Sequence, residues 1–153
     1  MSDLLLTTHA STAEATAAAG AKTAQPLVMI VDDHADTREM LKYVIERSGC
    51  RVVEASDGEE ALRLARTRPP HLILMDIVLP RLDGYKVTER IREIEGLRQT
   101  TIIFLSGRAE PKSREMAFAV GGNDYFLKPI DLRELELALR KYLMLPGSPA
   151  TPA

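Results

Sequence analysis

The sequence predicts an α/β protein in which five parallel strands form one sheet and helices wind over both of its faces. Three observations carry that expectation. Two runs, Leu27 to Val31 and His71 to Met75, are apolar almost throughout, as strands buried on both faces of a parallel sheet are. Strand-like and helix-like segments alternate five times between Leu27 and Leu145, the pattern of βα units rather than of hairpins. Four of the five strand-like segments also stop at residues able to do chemistry: Asp32-Asp33, Asp76, Ser106 and Lys128.

Taken in order, the first strand is Leu27 to Val31. A helix follows it, because Met40, Leu41, Val44 and Ile45 recur at helical spacing and Gly49 supplies a stop. Arg51 to Ala55 is a short strand. Asp57 then caps a helix through Ala61, Leu62, Ala65 and Arg66, with Glu60 at the capping-box position and Pro69-Pro70 forbidding continuation. The third strand delivers Asp76. Asp83-Gly84 opens a third helix with Val87, Ile91 and Ile94 facing inward, ending near Gly96. Thr100 to Leu105, β-branched and apolar, is the fourth strand and leads into Ser106-Gly107. Glu110 to Val120 is a weaker helix broken by Gly121-Gly122, and Asp124 to Leu127 is the fifth strand, running into Lys128-Pro129. Asp131 caps the last helix, with Glu134 at the capping-box position and Leu132, Leu135, Leu139, Tyr142 and Leu143 as its buried stripe.

The expected organisation is one domain over residues 27–145. Residues 1–26, rich in Ala and Thr, read as a mobile tail, and residues 146–153 as a second short tail. At 153 residues, 45% of them hydrophobic, the chain can bury a core without staples. A formal net charge of -2 and a pI near 5.9 offer no basic field, which disfavours direct nucleic-acid or anionic-membrane binding. Cys50 is the only cysteine, so no intrachain disulfide forms, and a reducing cytoplasm suits the chain. No run is long enough to span a bilayer, and the N-terminus lacks the basic and apolar regions of a signal peptide.

In the flavodoxin-like strand order 2-1-3-4-5 the first and third strands are neighbours and the second sits on an edge. The four chemically capable strand ends would then be contiguous. The second strand, ending in Ala55-Ser56, contributes nothing comparable. Strands lie about 4.8 Å apart, so Asp32, Asp33 and Asp76 would crowd three carboxylates into one cleft. Such a cluster needs a counter-charge, which a hard divalent cation supplies with oxygen ligands and Lys128 supplements. A carboxylate held between a metal and an ammonium is placed to attack phosphorus, with the Ser106 hydroxyl donating to a phosphate oxygen.

These residues resemble the bacterial response-regulator receiver domain. The resemblance covers about Leu27 to Leu145 and rests on Val31-Asp32-Asp33, on Leu74 to Pro80 with Asp83-Gly84, on Leu105-Ser106-Gly107 and on Tyr125-Phe126-Leu127-Lys128-Pro129. It implies a single-domain response regulator of a two-component system or phosphorelay, whose Asp76 takes a phosphoryl group from a phosphohistidine on a sensor histidine kinase or histidine phosphotransfer protein. It implies Mg²⁺, with Mn²⁺ as an alternative, held directly by Asp33 and Asp76, by Asp32 through water, and by the Val78 carbonyl. Ser106 and Lys128 would contact the phosphoryl group, and the Lys128-Pro129 bond would be cis. Ser106 and Tyr125 would be the switch pair, reshaping the face of the fourth helix, fifth strand and fifth helix for a downstream protein target. A monomer or weak dimer is expected.

Several positions depart from the family pattern. Gly107 and Gly122 stand where alanine is usual and Asn123 where an acid is common, which suggests loop tuning. An apolar Val78 cannot orient a hydrolytic water, and Arg108 can pair with the phosphoryl group, so a long-lived phosphorylated state is expected. His34 reads as an exposed loop residue, since no second His or Cys accompanies it. His9 and His71 carry no functional case. Three rivals remain. A phosphohydrolase of the haloacid dehalogenase type would need an acid where Val78 stands. A flavodoxin-type flavin carrier would need an aromatic, hydroxyl-rich phosphate cradle. A degenerate receiver would lack the intact acidic set.

Overall fold

The computed structural model describes residues 25–145; residues 1–24 of the predicted N-terminal tail and the whole C-terminal tail lie outside them. In chain order the elements are β1 (Leu27–Val31), α1 (Ala35–Arg47), β2 (Arg51–Ala55), α2 (Gly58–Thr67), β3 (Leu72–Asp76), α3 (Gly84–Arg92), β4 (Thr101–Ser106), α4 (Pro111–Ala119), β5 (Asp124–Leu127) and α5 (Leu132–Leu143). All strand pairs are parallel and the order is β2-β1-β3-β4-β5. The five-stranded, doubly wound, flavodoxin-like sheet is therefore the observed fold.

Strand alternation sends successive side chains to opposite faces, and each face builds its own core. Met29, Val31, Ile73, Met75, Ile102 and Phe104 pack with Ala61, Ala65, Val87, Ile91 and Ala117 of α2, α3 and α4. Val28, Ile30, Leu72, Leu74, Ile103 and Leu105 pack with Leu41, Val44, Ile45, Leu135, Ala138 and Leu139 of α1 and α5. Each fully buried Leu or Ile contributes about 1.5 to 3 kcal/mol. The stripes are slightly narrower than the sequence suggests: Met40 and Leu132 are 40% and 37% exposed, because each lies at the rim of its helix's apolar face.

The helix starts are built as the capping residues indicate. Asp57, Asp83 and Asp131 each accept a backbone N–H from the first turn of α2, α3 and α5. Glu60 accepts from the Ser56 N–H at 2.8 Å, one residue before the cap, so its capping box is offset by one position. Gly84 permits a close approach, since a Cβ there would run into the Asp76 carbonyl oxygen while its own N–H donates to Ile77 O at 2.8 Å.

At the opposite end of the sheet, Pro26, Pro70, His71, Leu97, Leu143 and Met144 line a shallow hollow of about 550 Å³. His71 has a structural task there: its Nδ1 accepts the Leu27 N–H at 2.9 Å and pins the start of β1.

Candidate functional site: an acidic notch at the carboxyl edge of the sheet

Because β1, β3 and β4 are adjacent and parallel, their carboxyl ends open onto one crevice. Asp32 follows β1 and is wholly buried. Its N–H donates to Ala55 O at 3.1 Å, and Arg38 Nη1 donates to its carbonyl at 2.8 Å. Arg38 is itself held by Glu54 at 2.9 Å, so a clamp from α1 and β2 fixes the backbone of the acidic pair. Asp76, the last residue of β3, is 4% exposed, and its Oδ1 accepts the Val78 N–H at 3.3 Å. Asp33 lies at the exposed lip.

Lys128 crosses from the end of β5 into this group. Its Nζ donates to Asp32 Oδ2 at 3.0 Å and to Asp76 Oδ2 at 3.1 Å. Its backbone N–H donates to Ser106 O at 2.8 Å, and the Lys128-Pro129 peptide bond is cis. Burial pushes the Asp76 carboxyl above its ordinary value and the neighbouring Asp32 adds to the rise, while Lys128 opposes both. Burial would lower the Lys128 ammonium, but the Asp32 hydrogen bond and the two carboxylate charges outweigh it and hold the pKa above the usual lysine range.

Ser106 ends β4 and is 1% exposed. Its Oγ accepts the Arg108 N–H at 2.9 Å. Tyr125, on β5, is 5% exposed, and its hydroxyl donates to the Arg108 carbonyl at 2.7 Å. Both side chains therefore grip the same residue of the β4–α4 loop. Val78 is 58% exposed, two residues past Asp76.

His34 is the exposed loop residue that the sequence suggests, and it also borders the acidic group. Its ring is 69% exposed, yet Nδ1 stands 3.1 Å from Asp33 Oδ1 and 3.2 Å from Asp32 Oδ1. Single donor atoms of Asp32, Asp33, His34 and Asp76 all lie within 4.8 Å of one another. The only signal in the sequence was adjacency to the acidic pair. Arg38 was also missed, and Arg108 was singled out only for its side chain, because the Asp32 carbonyl that Arg38 holds and the Arg108 N–H and carbonyl that Ser106 and Tyr125 hold are backbone groups no residue pattern records.

Three carboxylates and a convergent ammonium suit a small hard divalent cation, which takes oxygen ligands and offsets crowded negative charge. The donor set thus fits magnesium. It also places the Asp76 carboxylate beside the Lys128 ammonium.

The family profile described as the response regulator receiver domain matches residues 28–140. Among curated relatives, the alkaline phosphatase synthesis transcriptional regulatory protein PhoP of Bacillus subtilis is 36% identical over 116 residues, 76% of this chain and 48% of PhoP. The chain thus spans about half the length of that relative. An uncharacterized 14.6 kDa protein of Leptolyngbya boryana is 34% identical over 121 residues, 79% of this chain and 92% of its own. Among solved structures, the receiver domain of a sensor histidine kinase from Pseudomonas aeruginosa, with a magnesium ion coordinated in its active-site cleft, is 33% identical with a TM-score of 0.73, covering 78% of this chain and 98% of that one. The chemotaxis protein CheY4 of Vibrio cholerae is 26% identical with a TM-score of 0.74, covering 77% and 98%.

Proposed function

The chain belongs to the response regulator receiver domain family of two-component signalling, and from that membership we propose that it is a magnesium-dependent phosphoacceptor whose phosphorylated residue is Asp76. The observation that carries the reading is the position of Lys128 Nζ, 3.0 Å from Asp32 and 3.1 Å from Asp76, at the edge where β1, β3 and β4 end. In the proposed step an Asp76 carboxylate oxygen attacks the phosphorus of a phosphohistidine on a sensor kinase or phosphotransfer protein. The phosphorus–nitrogen bond breaks, and the donor imidazole leaves with its electron pair. Lys128 and Ser106 contact the phosphoryl oxygens. Asp33 and Asp76 would hold Mg²⁺ directly, Asp32 through water, and the Val78 carbonyl would complete the set; the cation, or Mn²⁺ in its place, supplies positive charge against the phosphoryl oxygens.

The switch follows from the shared grip on Arg108. Drawing Ser106 toward the phosphoryl group releases the Arg108 N–H, and the Tyr125 hydroxyl loses a fixed acceptor. The β4–α4 loop then resettles, and the face of α4, β5 and α5 changes for a downstream protein. Phe118, Leu127 and Leu137, each more than 40% exposed, give that region apolar contact surface. A differential stabilisation of about 1 to 3 kcal/mol suffices.

We assign signalling rather than turnover of phosphate esters, since Val78 offers no general acid where a haloacid-dehalogenase-type enzyme needs one. The same apolar Val78, with Arg108 beyond Ser106, implies a slowly hydrolysed phosphoryl group; a half-life of seconds without a phosphatase would refute that part. The proposed domain is 27–145, monomeric or weakly dimeric and cytoplasmic. Among the described residues no helix is long and apolar enough to cross a membrane.

The test is incubation with Mg²⁺ and a small phosphodonor, followed by intact-mass measurement. Wild type should gain one phosphoryl group, acid-stable and base-labile, and Asp76→Asn should gain none. Labelling of Asp76→Asn at wild-type extent, or no labelling of wild type, overturns the reading.

A further inference from the structure

The receiver-type acidic notch is an all-oxygen site, but in this chain an imidazole nitrogen stands inside its perimeter. His34 caps the start of α1 without using its side chain as a cap. Its backbone N–H donates to Asp32 Oδ1 at 2.8 Å, which ties the residue to the acid, and its ring, though largely exposed, turns toward the carboxylates instead of outward. The resulting distances, 3.1 Å to Asp33 Oδ1 and 3.2 Å to Asp32 Oδ1, match the roughly 3 Å that separates neighbouring ligands of an octahedral ion with bonds of about 2.1 Å. Asp76 also offers a donor atom within the 4.8 Å compass.

We propose that His34 is an additional ligand of this notch, engaged by first-row transition ions and left aside by Mg²⁺. This inference rests on the reading of the notch as a cation site. Mg²⁺ is hard, prefers oxygen and keeps several waters, so an imidazole adds little to its binding. Borderline ions such as Co²⁺ bind imidazole well and rise above Mn²⁺ in the Irving–Williams order. The chain's other described histidine, His71, has its Nδ1 committed to the Leu27 N–H. The consequence is a site whose occupancy depends on which divalent ion is in supply: carboxylates alone for Mg²⁺, carboxylates and His34 for a transition ion.

Calorimetric titration of the full chain with Mg²⁺ and with Co²⁺ tests this on wild type, His34→Ala and Asp33→Asn. Loss of His34 should weaken Co²⁺ binding by about tenfold or more while Mg²⁺ affinity stays within about twofold. Asp33→Asn should weaken both ions. Proton NMR of the Co²⁺-loaded wild type should show a paramagnetically shifted carbon-bound imidazole resonance that is missing from His34→Ala. An unchanged ratio of Co²⁺ to Mg²⁺ affinity in His34→Ala, or no such resonance, overturns the role of His34 and leaves the magnesium reading standing. Failure of wild type to bind either ion overturns both.

Discussion

Replacing Lys128 with methionine tests the electrostatics of the notch directly. The ammonium touches two carboxylates whose side chains are 1% and 6% exposed, and is itself 26% exposed. Each contact is a gross attraction of about 4 kcal/mol or somewhat more at an effective dielectric near 20, offset in wild type by the desolvation of all three groups. Methionine keeps the apolar stem but leaves Asp32 and Asp76 side by side and unpaired. Removing one partner of a buried pair costs about 3 to 5 kcal/mol, and partial exposure of the lysine brings the expectation to about 3 kcal/mol at pH 7. That corresponds to a drop in Tm on the order of 10 °C. The Asp76 carboxyl already titrates above 3.8 in the folded protein, so its ionised form works against folding above that range and not below it. Losing Lys128 removes an opposing influence and raises it further. The penalty should therefore be full at neutral pH and shrink as the pH falls into the carboxylate range. Urea unfolding of both proteins in metal-free buffer, at neutral and acidic pH, measures it. A variant within about 0.5 kcal/mol of wild type at pH 7, or a penalty that grows on acidification, would refute the reasoning.

Other outcomes follow from single contacts. Arg92 donates to the carbonyls of Leu97, Arg98, Thr100 and Gly121 and to Asn123 Oδ1, tying the end of α3 to the loops flanking β4, so Arg92→Met should cost about 3 kcal/mol in urea unfolding. A Cβ on Gly122 would stand 2.7 Å from the Phe104 ring and 2.8 Å from Ala117 O; Gly122→Ala should cost about 1 to 3 kcal/mol, and less when Phe104→Leu is already present. Gly107, with nothing within 4 Å of its would-be Cβ, should accept alanine within about 0.5 kcal/mol. The Tyr142 phenol, pushed up to about 12 by burial and by its 2.8 Å bond to Asp124, contributes stability that is present below pH 10 and lost as the pH rises through 12. Ultraviolet titration should find one tyrosine ionising last, and Asp124→Asn should bring it down.

The fold was legible because its signals are local and repeated: apolar runs of strand length, caps and glycine stops set the elements to within a residue or two, except that α3 ends at Arg92, four residues before the Gly96 stop. The gathering of Asp32, Asp76 and Lys128 was legible too, since parallel strands in the order 2-1-3-4-5 deliver their ends to one edge. What sequence could not give were partnerships between a side chain and a distant backbone. Arg92 reaches Gly121 O across 29 positions, and Arg38 holds the Asp32 carbonyl; neither follows from periodicity. Gly122 shows the same limit. The residue looked like loop tuning, whereas the Phe104 ring fills the volume a methyl group would need.

The hollow beneath the sheet bears on where the ends of the described chain lie. Pro26 and Met144, one residue inside each end of the described chain, both border it, so the chain enters and leaves at the pole opposite Asp76. A segment continuing outward from Pro26 or Met144 starts its path away from the acidic rim. In the proposed phosphotransfer, a donor reaching Asp33 and Asp76 would approach the edge of the sheet opposite the one where the described chain begins and ends.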